Sequence, residues 1–264
     1  MTDARPMLER TPGASYNGPS GAPQPNPGAG SVRRIAEYVV FASMSWLVWF
    51  WVTAVIVWAV IVGVIIESDT LGDSVWEEAG LGWTRWVLFA AGVVMATQSI
   101  PVLVAHGVTR RRVWKGALVG LTIVGVVGAV VVTAVHLLEG VVYRWDDAVH
   151  VVGGWHLYDD PGQIHLVLLE SFLIYLGYAI SGWIVGLGYY RFGGILGTLA
   201  LPFGLLPIAA IELSLNSTIE VAGLDLTTDM PMGVRALVCL LAIVSGAAAA
   251  FRLQREMALR PRPH

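Results

Sequence analysis

Charge is what this sequence has least of. Only 13% of its 264 residues are Asp, Glu, Lys or Arg, against roughly 25% in an ordinary soluble domain, and 56% are hydrophobic. A water-soluble fold of this size needs a charged shell, and too few charges are present to build one. The mean hydropathy of +0.68 agrees. Cysteine occurs once, as Cys239, which excludes an intrachain disulfide and a cysteine-built zinc site. The only lysine, Lys115, follows Trp114 rather than a glycine, so the G-x-x-x-x-G-K-[ST] phosphate loop is missing. No strand-linked G-x-G-x-x-G and no H-E-x-x-H occurs either.

What the chain does have is apolar runs. A spanning helix needs about 20 predominantly apolar residues, and six segments meet or approach that length: 38–66, 86–109, 116–143, 165–190, 193–213 and 232–251. The first is uncharged and, at 1.5 Å per residue, would extend about 43 Å against a hydrocarbon core of about 30 Å, so it must tilt or emerge. The fifth contains Pro202 and Pro207, which predict a kink or a re-entrant element. The fold class expected is therefore all-α: a polytopic membrane bundle of six transmembrane helices over residues 32–252. Residues 1–31 hold six of the 13 prolines, with five glycines. They predict a disordered arm, since they offer too little apolar surface to offset ordering. Residues 253–264 read as a basic tail.

Positive charge orients the set, because Lys and Arg collect on the cytoplasmic side. With the N-terminus inside, all but Arg85, Arg144 and Arg235 of the 16 basic residues fall in the arm, the second–third turn, the fourth–fifth turn and the tail. The acidic residues Glu67, Asp69, Asp73, Glu77, Glu78, Asp146, Asp147, Asp159, Asp160, Glu220, Asp225 and Asp229 fall on the other side. Both termini are thus expected in the cytoplasm, N-in and C-in. Trp83, Trp86, Trp114, Tyr143, Trp145, Tyr189 and Tyr190 stand at headgroup-level belt positions. Glycine pairs four apart (Gly116 and Gly120, Gly182 and Gly186, Gly193 and Gly197) predict close helix packing, expected to tie spans three to five together.

Few residues inside the spans can carry chemistry. His136 and Glu139 are three apart and share a helix face. Glu170 and Glu212 fall in the same outer leaflet by topology, which makes the four candidates for an outward-facing polar pathway. The alternative reading is that each carboxylate is shallow, hydrated or caps neighbouring helix ends. Their spacing supports no metal site. Ser181 with His136 lacks the glycine two positions before the serine that a membrane serine protease would want. The basic turn contributes Arg110, Arg111, Arg112, Trp114 and Lys115, preceded by Gly107 to end one helix and Thr109 to cap the next. It serves as a positive-inside anchor and as a place where a cytoplasmic partner could push.

The stretch from the apolar run 102–106 through Gly107-Val108-Thr109-Arg110-Arg111-Arg112 to a helix ending in Glu139 resembles permease subunits of bacterial type-two ABC transporters. Gly107, Thr109 and Arg110 fill the glycine, Ser/Thr and Arg places of that motif. The resemblance implies an exporter half with no catalytic residue and no cofactor of its own. ATP would be hydrolysed on a separate ATPase subunit, and a second permease copy or paralogue would complete the pathway. It implies further that the turn around Arg110–Lys115 and the segment around Arg33–Tyr38 take up the ATPase movement, in the inner membrane and without nucleic acid. The long arm and the acidic outer loops have no counterpart in it. Two other classes remain open: an ion-coupled transporter or channel using Glu139, Glu170 and Glu212, and a non-transporting accessory protein. On this topology a C-terminal reporter active only in the cytoplasm gives signal in cells, and one active only outside is silent; the reverse pattern contradicts it.

Overall fold

The structure, a computed structural model, describes residues 29–67, 74–76, 82–145, 156–158, 162–215, 218–221, 224–227 and 230–256. Residues 1–28 of the expected arm (1–31) and 257–264 of the expected tail (253–264) lie outside the described residues. The described chain is a helical bundle with one small hairpin. Its elements are α1 (Ala29–Glu67), α2 (Gly82–Ala105), α3 (Arg110–Trp145), α4 (Ile164–Gly204), α5 (Leu206–Leu215), β1 (Thr218–Val221), β2 (Leu224–Thr227) and α6 (Met232–Arg255). The strands pair antiparallel, Thr218 opposite Thr227. Five helical segments are long and apolar enough to cross a membrane, Ile164–Leu215 counting as one of them. In lipid only helices or closed barrels satisfy every backbone group internally, and the bundle takes the first course.

The helices outrun the apolar runs that mark them. Helix α1 begins at Ala29, inside the segment expected to be disordered, and α3 starts at Arg110 rather than 116. Arginines extend both starts because they favour helix and their heads can reach the polar zone while the stems stay apolar. Between α2 and α3 the chain turns in four residues. Gly107 takes φ +81, a conformation costly for any residue with a Cβ. The Thr109 carbonyl then receives the Arg112 and Val113 N–H groups at 2.9 and 3.0 Å, starting α3. Within α2, residues Met95–Ser99 form a wide π turn directly before Pro101. Proline has no N–H and its ring crowds the carbonyl four residues back, so the helix widens there instead of breaking.

The fourth and fifth expected segments are joined through Gly193, which takes φ 80 and ψ −171 inside α4. Beyond it the chain runs back along itself. Gly197 lies against Tyr189, Gly204 against Val185 and Gly177 against Ile211, and Tyr178 bonds Glu212. The numbers fall on one leg as they rise on the other, so Ile164–Leu215 is an antiparallel pair of legs. The returning leg breaks at Leu205, between Pro202 and Pro207, where a kink was expected.

Glycine seams hold the bundle, and they pair elements differently from expectation. Gly116 and Gly120 receive Ile35 and Val39 of α1, so they join α1 to α3. Gly182 faces the Phe89 carbonyl and Gly186 faces Ala96 and Val93, while Gly92 faces the Ala179 carbonyl, so α2 and α4 interlock from both sides. Gly193 makes no such seam; it is the turn itself. The reason is that small-residue spacing marks a close approach without naming the partner. Around the seams Leu47, Leu88, Ile100, Leu121, Tyr175 and Trp183 are fully enclosed, whereas Phe41, Trp49, Ile195 and Phe203 face outward.

A Cβ at Gly182 would collide with backbone that has nowhere to move. Gly182→Val should lower the melting temperature in detergent by several degrees, read by dye labelling of the enclosed Cys239 thiol. Gly63→Ala, with nothing within 4 Å, should leave it unchanged or raised.

Candidate functional site

Two ends of the bundle carry the polar chemistry. At the first, the basic turn is tied to the end of α6. Arg110 donates from its guanidinium to the Arg255 carbonyl, and Gln254 Nε2 donates back to the Arg110 carbonyl at 3.2 Å. One turn on, Trp114 Nε1 donates to the Ala247 carbonyl at 3.0 Å, with its ring 5.1 Å from that of Phe251. Arg191, just before the Gly193 reversal, pairs with Glu256 at 2.7 Å. The turn, the hairpin tip and the end of α6 therefore share one end of the bundle, and the packing of Gly116 on Val32 and Ile35 brings the start of α1 there too.

Of the residues proposed for coupling, Arg110 and Trp114 are half-buried and fasten α3 to α6. Arg111 and Lys115 are exposed and Arg112 is half-exposed. Gln254, Phe251 and Glu256 complete this arrangement and carry no local sequence signal, since their partners lie far away along the chain, 144 positions for Gln254 and Arg110.

At the opposite end each intramembrane carboxylate meets donors. Glu139 is fully enclosed. It accepts from Trp58 Nε1 at 3.1 Å, Ser74 Oγ at 2.5 Å and the Trp76 backbone N–H at 2.8 Å. Trp76 is itself enclosed, donates Nε1 to the Val132 carbonyl at 3.0 Å and packs edge-on against Trp58, centroids 6.1 Å apart. The carboxylate thus pins residues 74–76, which follow α1, down into the bundle. Glu170 does the same for residues 156–158, accepting from His156 Nδ1 at 2.7 Å and the Leu157 N–H at 2.6 Å. Tyr158 stacks on His156 at 4.6 Å and meets His136 edge-on at 6.2 Å. Glu212 pairs with Arg85 at 2.9 Å and accepts from the Tyr178 hydroxyl at 2.7 Å, linking the returning leg to α2 and to the outgoing leg.

All four pathway candidates thus lie toward one end, but they do not form a single cluster. His136 and Glu139 share a face of α3 and serve different segments: Glu139 holds 74–76, and His136 sits against Tyr158. Glu170 lies on the outgoing leg of α4 and Glu212 on the returning leg, each with its own partners, and the enclosed Cys239 of α6 lies 3.1 Å from Ser214 Oγ. Trp58, Ser74, Trp76, His156, Tyr178 and Arg85 complete these contacts. Only the aromatic and basic types hinted at them, because a loop's insertion depth leaves no periodic trace. No group of three or more His, Cys, Asp or Glu able to hold a metal ion occurs among the described residues. What this end does chemically is fasten: it satisfies buried charge with neutral N–H and O–H groups, an imidazole and one guanidinium.

No family model matches this chain, and no curated protein and no solved structure matches it either.

Removing the Glu139 carboxylate leaves enclosed donors unpaired, at about 1–3 kcal/mol each. Glu139→Leu should therefore destabilise strongly, and Glu139→Gln, which keeps one oxygen acceptor, should fall between it and the parent. A cysteine placed at Ser74 in a Cys239→Ser background should label with a maleimide several-fold faster once Glu139 is Leu. Equal labelling would show that the carboxylate does not hold the loop.

Proposed function

We propose that this chain is the membrane-spanning permease subunit of an ABC-type exporter in a bacterial inner membrane, driven by a separate ATPase chain. The observation that carries the reading is the fastening of the arginine turn to α6. Arg110, Trp114 and Gln254 make the turn and the last helix one unit, while Arg111 and Lys115 remain exposed on its surface. A force applied at that surface would be delivered to two helices at once, which is what a docking platform for a motor subunit requires.

The hairpin in Ile164–Leu215 supports the finer topology. Counting its two legs gives six crossings, with the start of α1, the basic turn, the hairpin tip and the end of α6 on one side. The positive-inside rule makes that side cytoplasmic. The motif Gly107, Thr109, Arg110 and the missing phosphate loop fit a chain that borrows its ATP hydrolysis. ATP-driven closure of the motor would favour one arrangement of the fastened helices over the other, and that difference in binding would switch access. A second copy or a paralogue would supply the rest of the pathway.

The ion-coupled alternative draws less support, because Glu139, Glu170 and Glu212 are already engaged in holding the structure together. An accessory role without transport fits the apolar helices equally and leaves the exposed arginine surface its role as a positive-inside anchor.

Purification of a tagged chain from its native membrane should bring down an ATPase subunit. The variant Arg111→Glu/Arg112→Glu, with Arg110 left to hold α6, should still insert and melt like the parent but should lose that ATPase from the eluate. Retention of the ATPase by this variant, or its absence from the parent preparation, contradicts the reading.

A further inference from the structure

On the outer surface of the α1–α3 seam runs an open groove of about 520 Å³, lined by Val32, Arg33, Ala36, Glu37, Val40, Val119 and Ile123. Its origin is the seam itself. Gly116, Gly120 and Ala36 let the two helices touch but leave no side-chain mass to fill the space beside the contact. Residues 32–40 cover about 12 Å of helix, so the groove runs along the bundle from its basic end toward the middle. Its surroundings face outward: Val119 and Ile123 are 46% and 42% exposed, and Phe41 is 78% exposed.

Cations stand at its mouth. Arg33 lies on the lining and is held there by Glu37 at 2.7 Å. Lys115 and Arg112 lie four and seven residues before Val119, on the same stripe of α3 and nearer the basic end, with Lys115 exposed. An apolar trough that opens onto hydrocarbon, carries the Arg33–Glu37 pair on its lining and has two further cations beyond its basic end on the α3 stripe is complementary to an acyl chain with an anionic headgroup. Cationic clefts between helices on the basic side of a membrane protein are suited to anionic lipid.

We infer that this groove is a binding site for an anionic phospholipid, with one acyl chain along Val40, Val119 and Ile123 and its phosphate held by Arg33, Lys115 and Arg112. The site bridges α1 and α3, so its occupant would stiffen the seam that fixes the start of α1. The inference does not depend on the ABC reading, and its test uses the isolated chain without an ATPase.

The test is thermal unfolding of the full-length protein in detergent, followed through Cys239 labelling, with phosphatidylglycerol or phosphatidylcholine of the same acyl chains added. A ligand that binds only the folded state raises the midpoint in proportion to its occupancy. Phosphatidylglycerol should raise it by several degrees more than phosphatidylcholine. Lys115→Glu/Arg112→Glu should abolish that difference, and Val119→Trp, which fills the trough without touching the charges, should reduce it. Inorganic phosphate alone should give no shift, since the chain supplies the apolar half of the binding. Equal shifts with the two lipids, or a preserved difference in both variants, overturns the inference. So does a difference that emerges only after residues 1–28 are deleted, because that would make the arm the groove's occupant.

Discussion

A chain in hydrocarbon has no water to satisfy its polar groups, and every other feature of this structure answers to that constraint. The backbone is satisfied by folding almost entirely into helix. Where helix must stop, the exposed groups are met locally: by the Thr109 carbonyl at the start of α3, by the Pro231 carbonyl receiving Val234 and Arg235 at the start of α6, and by the left-handed glycines at 107 and 193. The carboxylates face the same constraint with higher stakes, since an enclosed charge with no partner is costly. Glu139 and Glu170 resolve it by drawing loop N–H groups down into the bundle. Glu212 resolves it with Arg85 and Tyr178. The carboxylates and the loops therefore stabilise each other, and neither is well placed without the other.

This gives the two ends of the molecule different characters. The acidic end is closed by inserted segments, each anchored on a carboxylate of the helix core. The basic end is braced instead by contacts between helix ends, in which an arginine, a tryptophan and a glutamine reach backbone carbonyls and an arginine reaches Glu256. The interlocked glycines of α2 and α4 make one tight pair, and α1 with α3 makes another. Under the proposed function, movement of these two pairs relative to each other is what a motor subunit would drive and an occupied α1–α3 groove would restrain.

Much of the fold was legible in the sequence, for reasons that particular residues make plain. Uniform apolar composition marked the helices. The interval between the apolar runs 165–190 and 193–213, which holds Arg191, marked the reversal, whereas Gly193 itself read as a packing residue; Pro202 with Pro207 marked the break in the returning leg. Helix ends were less visible, because the arginines that start α1 and α3 continue the helix beyond the apolar run. The π turn before Pro101 left no mark on the hydrophobic pattern. The three carboxylates could be assigned to one end of the bundle from helix direction alone. Their partners could not, since Trp58 lies 81 residues and Ser74 lies 65 residues from Glu139. Glycine spacing announced close approach, but which helices approach is decided by three-dimensional packing.

The chain turns back at Gly193, and the central proposal is that six legs therefore cross the membrane with the basic end of the bundle in the cytoplasm. The most direct measurement places single cysteines, in a Cys239→Ser background, at Phe192 in the hairpin tip and at Trp83 at the opposite end. A membrane-impermeant maleimide is then added to intact cells and, separately, to opened ones. The account predicts that the cysteine at 83 labels from outside and that the one at 192 labels only after the cells are opened. Labelling of 192 from outside would mean that Ile164–Leu215 does not return as described and would contradict the topology on which the functional reading stands.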